Sequence, residues 1–336
     1  MATPPLFLPH LIFIYLYKHL PRSLPMTQSL YDVIIIGSGP AGIQAAIHAS
    51  RKKTSVLLLG RMGNSALYNA HVENYACISG VQNGRDLLEA GFEQVRGFGT
   101  EIIPEDVLKI HQKEDLFEVE IESGALLQCR SLIFGMGVSK KKLAVPGEKE
   151  LVGRGVSYCV DCDANFYRGA TVGVVGNRSA AVDGALTLLG YAAKVYLIAE
   201  KLDVSKELLE RLKSSEVQLI PGAAVEEING KNALSHVRLN NGEQLELEGL
   251  FIELGSKGAL ELATQIGVML DTESFKFIAI NRKCETNIPG IYAAGDITGP
   301  PYQMAKAVGE GCVAGMEAAT FSRKHKKNKA VEGDGR

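Results

Sequence analysis

Tyr31-Asp32-Val33-Ile34-Ile35-Ile36 runs directly into Gly37-Ser38-Gly39-Pro40-Ala41-Gly42, and this junction constrains the fold more than any other feature of the chain. An apolar, β-branched run of this kind suits a strand covered on both faces, as in a parallel sheet. The first glycine permits a tight turn, the second lets backbone approach a pyrophosphate, and the third lets helix and strand pack closely. A helix over 43–50 would then point its N-terminus at the phosphates, and a second strand over 54–59 completes a βαβ unit. The acidic ribose-binding residue usual after that strand is missing, because the sequence there reads Leu59-Gly60-Arg61.

A second unit of the same plan begins at Thr171-Val172-Gly173-Val174-Val175, passes through Gly176-Asn177-Arg178-Ser179-Ala180-Ala181 and ends in a strand over 194–198. Its fingerprint is damaged. Arg178 stands where the second glycine should be and puts a side chain where backbone would approach a pyrophosphate. The strand is followed by Ala199-Glu200-Lys201, with no arginine pair for a 2′-phosphate. Two readings stay open: a unit that has lost pyridine-nucleotide binding, so that NADPH is doubtful, and one that takes NADH with Glu200 on the ribose.

Two βαβ units in 336 residues predict an α/β protein of two domains, since single cores rarely grow far past about 250 residues. Hydrophobic residues at 46% and charged residues at 22% exclude general disorder. The net charge of −2 is unevenly spread. After Phe321, six cations (Arg323, Lys324, Lys326, Lys327, Lys329, Arg336) stand against Glu332 and Asp334, and the first 25 residues add Lys18 and Arg22 with no acid, so the body between is acidic. An acidic body argues against nucleic acid as partner. The basic end, 322–336, is expected to be a solvated, disordered tail. Leu6 to Tyr17 is apolar but too short for the roughly 20 residues of a membrane span, and its cations follow rather than precede it. Residues 1–25 therefore read as a doubtful leader, with translation beginning at Met26 and an amphipathic anchor as the alternative. No membrane association is expected.

Between the two units lies Ser157-Tyr158-Cys159-Val160-Asp161-Cys162-Asp163. A Cys-x-x-Cys pair can close a reversible disulfide whose outer thiolate attacks another disulfide. Zinc needs about four ligands, and the sequence has no second Cys-x-x-Cys or paired histidines to supply them. Asp163 suits proton exchange with a departing thiol, whereas Asp161 reads as a polar loop residue. Cys77, Cys129, Cys284 and Cys312 stand singly and read as packing thiols. His71 reads as a surface histidine. Six cysteines in a chain of this size indicate a reducing compartment, here the cytoplasm.

These motifs together resemble the low-molecular-weight, bacterial-type thioredoxin reductases over residues 30–320. Gly37 to Gly42 resembles that family's FAD phosphate loop, Val72-Glu73-Asn74 its flavin-contacting segment, and Gly290 to Asp296 its second FAD motif. Tyr302-Gln303-Met304-Ala305 resembles the segment whose backbone meets the flavin ring, and Gly135-Met136-Gly137 stands where an ATG-like segment is usual. The resemblance implies two Rossmann-like FAD/NAD(P)-binding domains, the second inserted in the first. FAD-binding segments would span 26–139 and 256–321, and the insert 140–255 would carry the Cys-x-x-Cys between hinges near 137–142 and 255–257.

It further implies FAD held by Gly37, Ser38, Gly39, Pro40, Ala41, Gly42, Asn74, Gly137, Gly295, Asp296, Gln303, Met304 and Ala305, and a homodimer. Cys162 would face the flavin, Cys159 would attack thioredoxin, and Asp163 would be the acid/base. The eroded second loop is similar to atypical branches that take electrons from ferredoxin or another carrier, one of them with a second flavin. Lys140-Lys141-Lys142 and the tail are candidate landing sites for an acidic donor. A non-catalytic FAD-bound redox sensor is the remaining alternative, against which the intact Cys159-Cys162-Asp163 set argues.

Overall fold

The chain's computed structural model describes residues 30–138 and 142–333. The leader and Lys140 and Lys141 of the proposed landing patch lie outside the described residues. In chain order the strands are β1 (Leu30–Ile36), β2 (Val56–Leu59), β3 (His71–Val72), β4 (Gln82–Asn83), β5 (Glu101–Ile103), β6 (Val107–Lys113), β7 (Leu116–Ile121), β8 (Leu126–Phe134), β9 (Val156–Ser157), β10 (Thr171–Val175), β11 (Lys194–Ala199), β12 (Gln218–Pro221), β13 (Val225–Asn229), β14 (His236–Leu239), β15 (Gln244–Glu246), β16 (Gly249–Ile252) and β17 (Ile291–Ala293). The helices are α1 (Pro40–Arg51), α2 (Gly84–Gly97), α3 (Glu148–Leu151), α4 (Val160–Asp163), α5 (Ser179–Leu188), α6 (Lys206–Lys213), α7 (Ala259–Gln265) and α8 (Met304–Gly333).

Two large sheets follow from the two βαβ units. The first has the order β5-β2-β1-β8-β7-β6, with β17 added beside the end of β8. The chain thus leaves this sheet after β8 and returns to it more than 150 residues later. The second sheet is wholly parallel, β12-β11-β10-β16-β9, and lies entirely in the intervening segment.

Strand periodicity places the core. On β1, Ile34 and Ile36 join one apolar cluster while Val33 and Ile35 join the opposite one, the alternation of a strand buried on both faces. On the second face α1 is crossed by α8 at close range. A Cβ on Gly311 would come within 2.3 Å of the Ala41 carbonyl oxygen, and one on Gly315 within 2.3 Å of that of Ala45, so glycine is required at both contacts.

The basic end departs from its expected disorder. Residues 322–333 continue α8 as helix. The first turn past Phe321 is tied down: Ser322 is fully buried and donates to Asp32 of β1 at 3.3 Å, and the His325 ring stacks on Phe321. No glycine or proline interrupts the stretch before Gly333.

Candidate active site

A cleft of about 540 Å³ opens at the C-terminal edge of the first sheet, within the range of about 300–1,000 Å³ typical of ligand and cofactor sites. Its walls come from the β1–α1 turn (Gly37 to Ala41), the end of β2, residues 135–138, residues 256–259, Gly295-Asp296 and the start of α8.

The glycines act as their spacing suggests. Gly37 has φ +115° and its added Cβ would meet the Gly135 carbonyl oxygen at 2.5 Å; a Cβ on Gly42 would meet the Gly37 oxygen at 1.8 Å. Gly39 caps α1 and no side chain bonds to the amides of the first turn, so that helix end is left to an anion. Of the residues predicted to hold FAD, Gly37, Ser38, Gly39, Pro40, Ala41, Asn74, Gly137, Gly295, Asp296, Gln303 and Met304 line the cleft. Gly42 packs beneath it, and Ala305 is not among the lining residues, Ala307 one helical half-turn on taking a place there.

Long-range bonds assemble these segments. Asn74 donates to Gln303, 229 positions away, at 2.9 Å. Glu310 accepts from the Gly295 amide at 2.8 Å, and Lys306 donates to the Gly295 carbonyl at 2.7 Å, fixing the turn that carries Asp296. Burial, reinforced by Glu310 and opposed by Lys306, raises the Asp296 pKa. Neither Lys306 nor Glu310 was legible as a site residue, although their i,i+4 spacing on the first turns of a helix was a signal.

The second loop is differently furnished. At the N-terminus of α5, the Ser179 hydroxyl, fully buried, donates to Asp106 at 2.7 Å, and the Ala180 amide donates to the Gly255 carbonyl at 3.3 Å. Arg178 reaches Asn64 and Asp203 rather than filling the loop. Asp106 and Glu122 are themselves held by Arg61 at 2.6 and 2.5 Å, and Glu122 accepts from the Ser205 amide. Burial opposes charge on Arg61, but Asp106 and Glu122 outweigh it and raise its pKa; burial also raises that of Glu122. The arginine that replaces the expected acid after β2 therefore anchors a seam between the two sheets' units. Leu108 of β6 deepens that seam by packing into the core of the insert. Glu200 lies exposed beyond the end of β11.

Cys159 and Cys162 form a disulfide, with Cα atoms 5.3 Å apart, at the start of α4. Cys159 is buried and Cys162 exposed. Cys159, Cys162 and Asp163 are not among the residues lining the cleft. Ser157, which the sequence did not single out, links the group: its hydroxyl donates to Asp163 at 2.6 Å and accepts from the Cys159 amide at 3.1 Å.

Asp161 is not the plain loop residue it was expected to be. It accepts from Lys257 at 2.7 Å and from Gln265. Lys257 is buried, lines the cleft, and makes ion contacts with Asp183 at 3.0 Å and Glu261 at 3.8 Å. Burial alone would lower its pKa, but Asp183 and Asp161 hold it above the ordinary lysine value.

The other thiols divide by exposure. Cys129 and Cys284 are buried, and burial pushes each thiol up to about 12. Cys77, expected to pack, is exposed. Because the thiolate is the nucleophile, a thiol of pKa 12 is ionised to only about one part in ten thousand at pH 8. Iodoacetamide at pH 8 without reductant should therefore modify Cys77 first and spare Cys129 and Cys284, as peptide mass mapping would read. Among the described residues no group of histidine, cysteine and carboxylate side chains could hold a metal ion, and no helix is long and apolar enough to cross a membrane.

Two βαβ units, a glycine-loop cleft and a neighbouring Cys-x-x-Cys disulfide define a nucleotide-cofactor disulfide oxidoreductase. The sequence matches the family model described as pyridine nucleotide-disulphide oxidoreductase over residues 31–311. It is 33% identical over 303 residues to the thioredoxin reductase of Mycolicibacterium smegmatis, covering 87% of this chain and 96% of that one. Among solved structures it resembles the atypical thioredoxin reductase TRi from Desulfovibrio vulgaris Hildenborough (32% identity, TM-score 0.74, 87% and 98% covered). A second is the ferredoxin-flavin thioredoxin reductase from Clostridium acetobutylicum (34% identity, TM-score 0.62, 87% and 97% covered). The chain belongs to the pyridine nucleotide-disulphide oxidoreductase family and, within it, to the low-molecular-weight thioredoxin reductases, flavoprotein disulfide reductases whose family cofactor is FAD.

Proposed function

We propose that this protein reduces the disulfide of thioredoxin or a similar small dithiol protein, and that its electrons come from ferredoxin or another carrier rather than from NADPH. The observation that carries the donor half is the contrast between two like helix ends. Neither has a side-chain cap, but that of α1 opens on the cleft, whereas at that of α5 the Ala180 amide already donates to the Gly255 carbonyl and the Asp106 carboxylate sits on the Ser179 hydroxyl, where a nucleotide phosphate would meet a like charge.

The cleft fits FAD: the first-turn amides of α1 suit its pyrophosphate, Gly39 leaves room for close approach, and Asp296 suits a ribityl hydroxyl. When bound, FAD would supply the electron pair that opens the Cys159–Cys162 disulfide. The chain's own thiols then do the exchange. The Cys159 thiolate attacks one sulfur of the partner's disulfide, forming a mixed disulfide and releasing the partner's other thiolate. Cys162 attacks the Cys159 sulfur, which closes the internal disulfide again and frees the second partner thiol. Two electrons and two protons have then passed to the partner. Asp163, held by Ser157, is placed to hand a proton to a departing thiolate and to take one from the attacking thiol. Phe166, 82% exposed and four residues beyond Cys162, offers a partner an apolar contact beside the disulfide.

A cytoplasmic homodimer belongs to the same proposal. Of the candidate landing sites for an acidic carrier, Lys142 is exposed and follows the cleft-lining Val138 by four residues. Arg323, the first of the tail cations, donates to the Lys52 carbonyl, at the end of α1 about 18 Å from its cleft-facing start. Whether a second flavin binds belongs to the same test. Anaerobic mixing of purified, FAD-loaded protein with NADPH, then NADH, then reduced ferredoxin, followed by flavin absorbance, should bleach only with the last. Rapid bleaching by NADPH would overturn the donor assignment, and bleaching by NADH alone would return the role of Glu200. A flavin content near two per chain would assign a second flavin.

A further inference from the structure

Residues 269–279 form a hairpin whose tip holds an exposed aromatic side chain on strained backbone. The Ala279 amide donates to the Met269 carbonyl at 3.1 Å to close its base, and Leu270 faces Ile278. Alternation along the two arms sends Leu270 and Ile278 into the apolar core of the first sheet and leaves Met269 and Phe277 on the outer face. The Phe277 ring lies against Gly299 with its centroid 6.4 Å from that of Tyr302, and the Ile278 amide donates to the Ile297 carbonyl at 2.9 Å. The hairpin is thus fixed beside the turn that carries Asp296 and beside Tyr302, both of which line the cleft. We propose that this hairpin is the docking contact for the protein that delivers electrons: Phe275 at its tip, with Met269 and Tyr302 on its outer face, seats a small electron carrier at the end of the cleft where residues 302–305 would meet the flavin ring. The inference rests on the donor reading above, in which a carrier protein rather than NADPH supplies FAD with two electrons for each disulfide opened.

Three observations support it. First, Phe275 is doubly unfavourable for the free protein. Its φ is +57°, in the left-handed region where a bulky side chain is strained and glycine is not, and no other aromatic among the described residues has a positive φ. It is also 66% exposed. Glycine would remove both penalties, so the ring's role lies outside the packing of this chain. The turn that presents it is nevertheless firmly built. Asp271 accepts from the amides of Ser274, Phe277 and Lys276 at 2.7, 3.0 and 3.1 Å, and these bonds, that of Ser274 foremost, lower its pKa to about 2. A ring held out on a turn of this kind is preorganised, because little freedom is lost when a partner covers it.

Second, position selects the partner. The hairpin packs on the first sheet's unit and adjoins the cleft, whereas the disulfide and the exposed Phe166 belong to the insert. A protein that reduces FAD needs the first place, and one that takes electrons from the disulfide needs the second. Third, size selects the kind of contact. Phe275, Met269 (58% exposed) and Tyr302 (53%) together expose on the order of 300 Å², against about 800 Å² per partner in a stable complex or dimer, and small interfaces are typical of transient redox encounters. Charge adds little to it, because Glu273 and Lys276 are both exposed on the same turn and offset each other. The contact is therefore apolar in kind and should respond weakly to salt.

The test uses the full-length FAD-loaded protein and the variants Phe275→Gly and Phe275→Tyr, with a bacterial ferredoxin as the probe carrier and a thioredoxin as the acceptor. Phe275→Gly should weaken binding of oxidised ferredoxin, read by calorimetry, and raise the KM for reduced ferredoxin, each by about tenfold and to the same extent at low and high salt. The KM for thioredoxin, with dithionite as the electron source, should stay as it was. The thermal midpoint of Phe275→Gly should rise by about 2 °C as the strain is relieved. Phe275→Tyr, which keeps both ring and strain, should match the unsubstituted protein in every reading. Ferredoxin binding unchanged in Phe275→Gly would overturn the docking role. So would a lower thermal midpoint, which marks a packing residue, a raised KM for thioredoxin, which assigns the ring to the acceptor, or a fall to monomer in sedimentation, which assigns it to a second copy. Failure of the unsubstituted holoprotein to take electrons from reduced ferredoxin would instead overturn the donor reading, and the docking role with it.

Discussion

Cys159→Ser should lower disulfide reduction by at least about a thousandfold while leaving FAD content and thermal unfolding close to those of the unsubstituted protein. The loss is large because serine cannot form the mixed disulfide, and Cys162 left alone has no second thiol to close the internal disulfide and release a product: among the described cysteines, Cys77, Cys129, Cys284 and Cys312 are outside the disulfide. The fold should survive because the sulfur's packing volume is nearly kept and the Ser157–Asp163 bond does not depend on it. The companion Cys162→Ser should behave differently. With the resolving thiol gone, the Cys159 thiolate still attacks the partner but the product cannot be released, so a covalent complex should accumulate and disappear on adding dithiothreitol. Non-reducing electrophoresis reads this directly. If Cys159→Ser traps the partner and Cys162→Ser does not, the exposed sulfur of Cys162 is the one that attacks, and the two roles are exchanged.

The second large effect concerns the cofactor cleft. Gly42→Val should yield protein that retains less than about a tenth of the flavin, because a Cβ at this position already falls 1.8 Å from the Gly37 carbonyl oxygen. Relief requires the β1–α1 turn to open, and that turn supplies the amides that would meet the pyrophosphate. Gly37→Val should act in the same direction, since its φ of +115° is unfavourable for any β-branched residue and its Cβ would strike the Gly135 carbonyl. Gly39→Ala is the instructive contrast. Its Cβ meets nothing closer than the Ser65 hydroxyl at 3.3 Å, so the fold should tolerate it while the space for the phosphates narrows. The check is the absorbance ratio of flavin to protein after purification in excess FAD; full flavin content in Gly42→Val would mean that the cleft is not where FAD binds.

Much of this was legible along the chain because it depends on a few consecutive backbone conformations. The run from Tyr31 to Gly42 specifies strand, turn and helix whatever surrounds it, and the Cys-x-x-Cys turn closes its own disulfide across 5.3 Å. The damage to the second loop was equally plain, since Arg178 occupies a position whose chemistry is local. The disorder expected of the basic end failed for a tertiary reason: its charge pattern said nothing of Ser322, whose burial against Asp32 carries α8 onward.

The sequence by itself determined the α/β class, the flavin-type loop and the redox pair, because glycine spacing and strand apolarity act over distances the chain itself spans. Only the tertiary structure decided how the two units engage: Asp106 meeting Ser179 across 73 positions, and Lys257 meeting Asp161 across 96. The physical reason is degeneracy. With 36 cationic and 38 acidic residues, any lysine has many possible carboxylates, and burial selects one set by making every other choice a stranded charge.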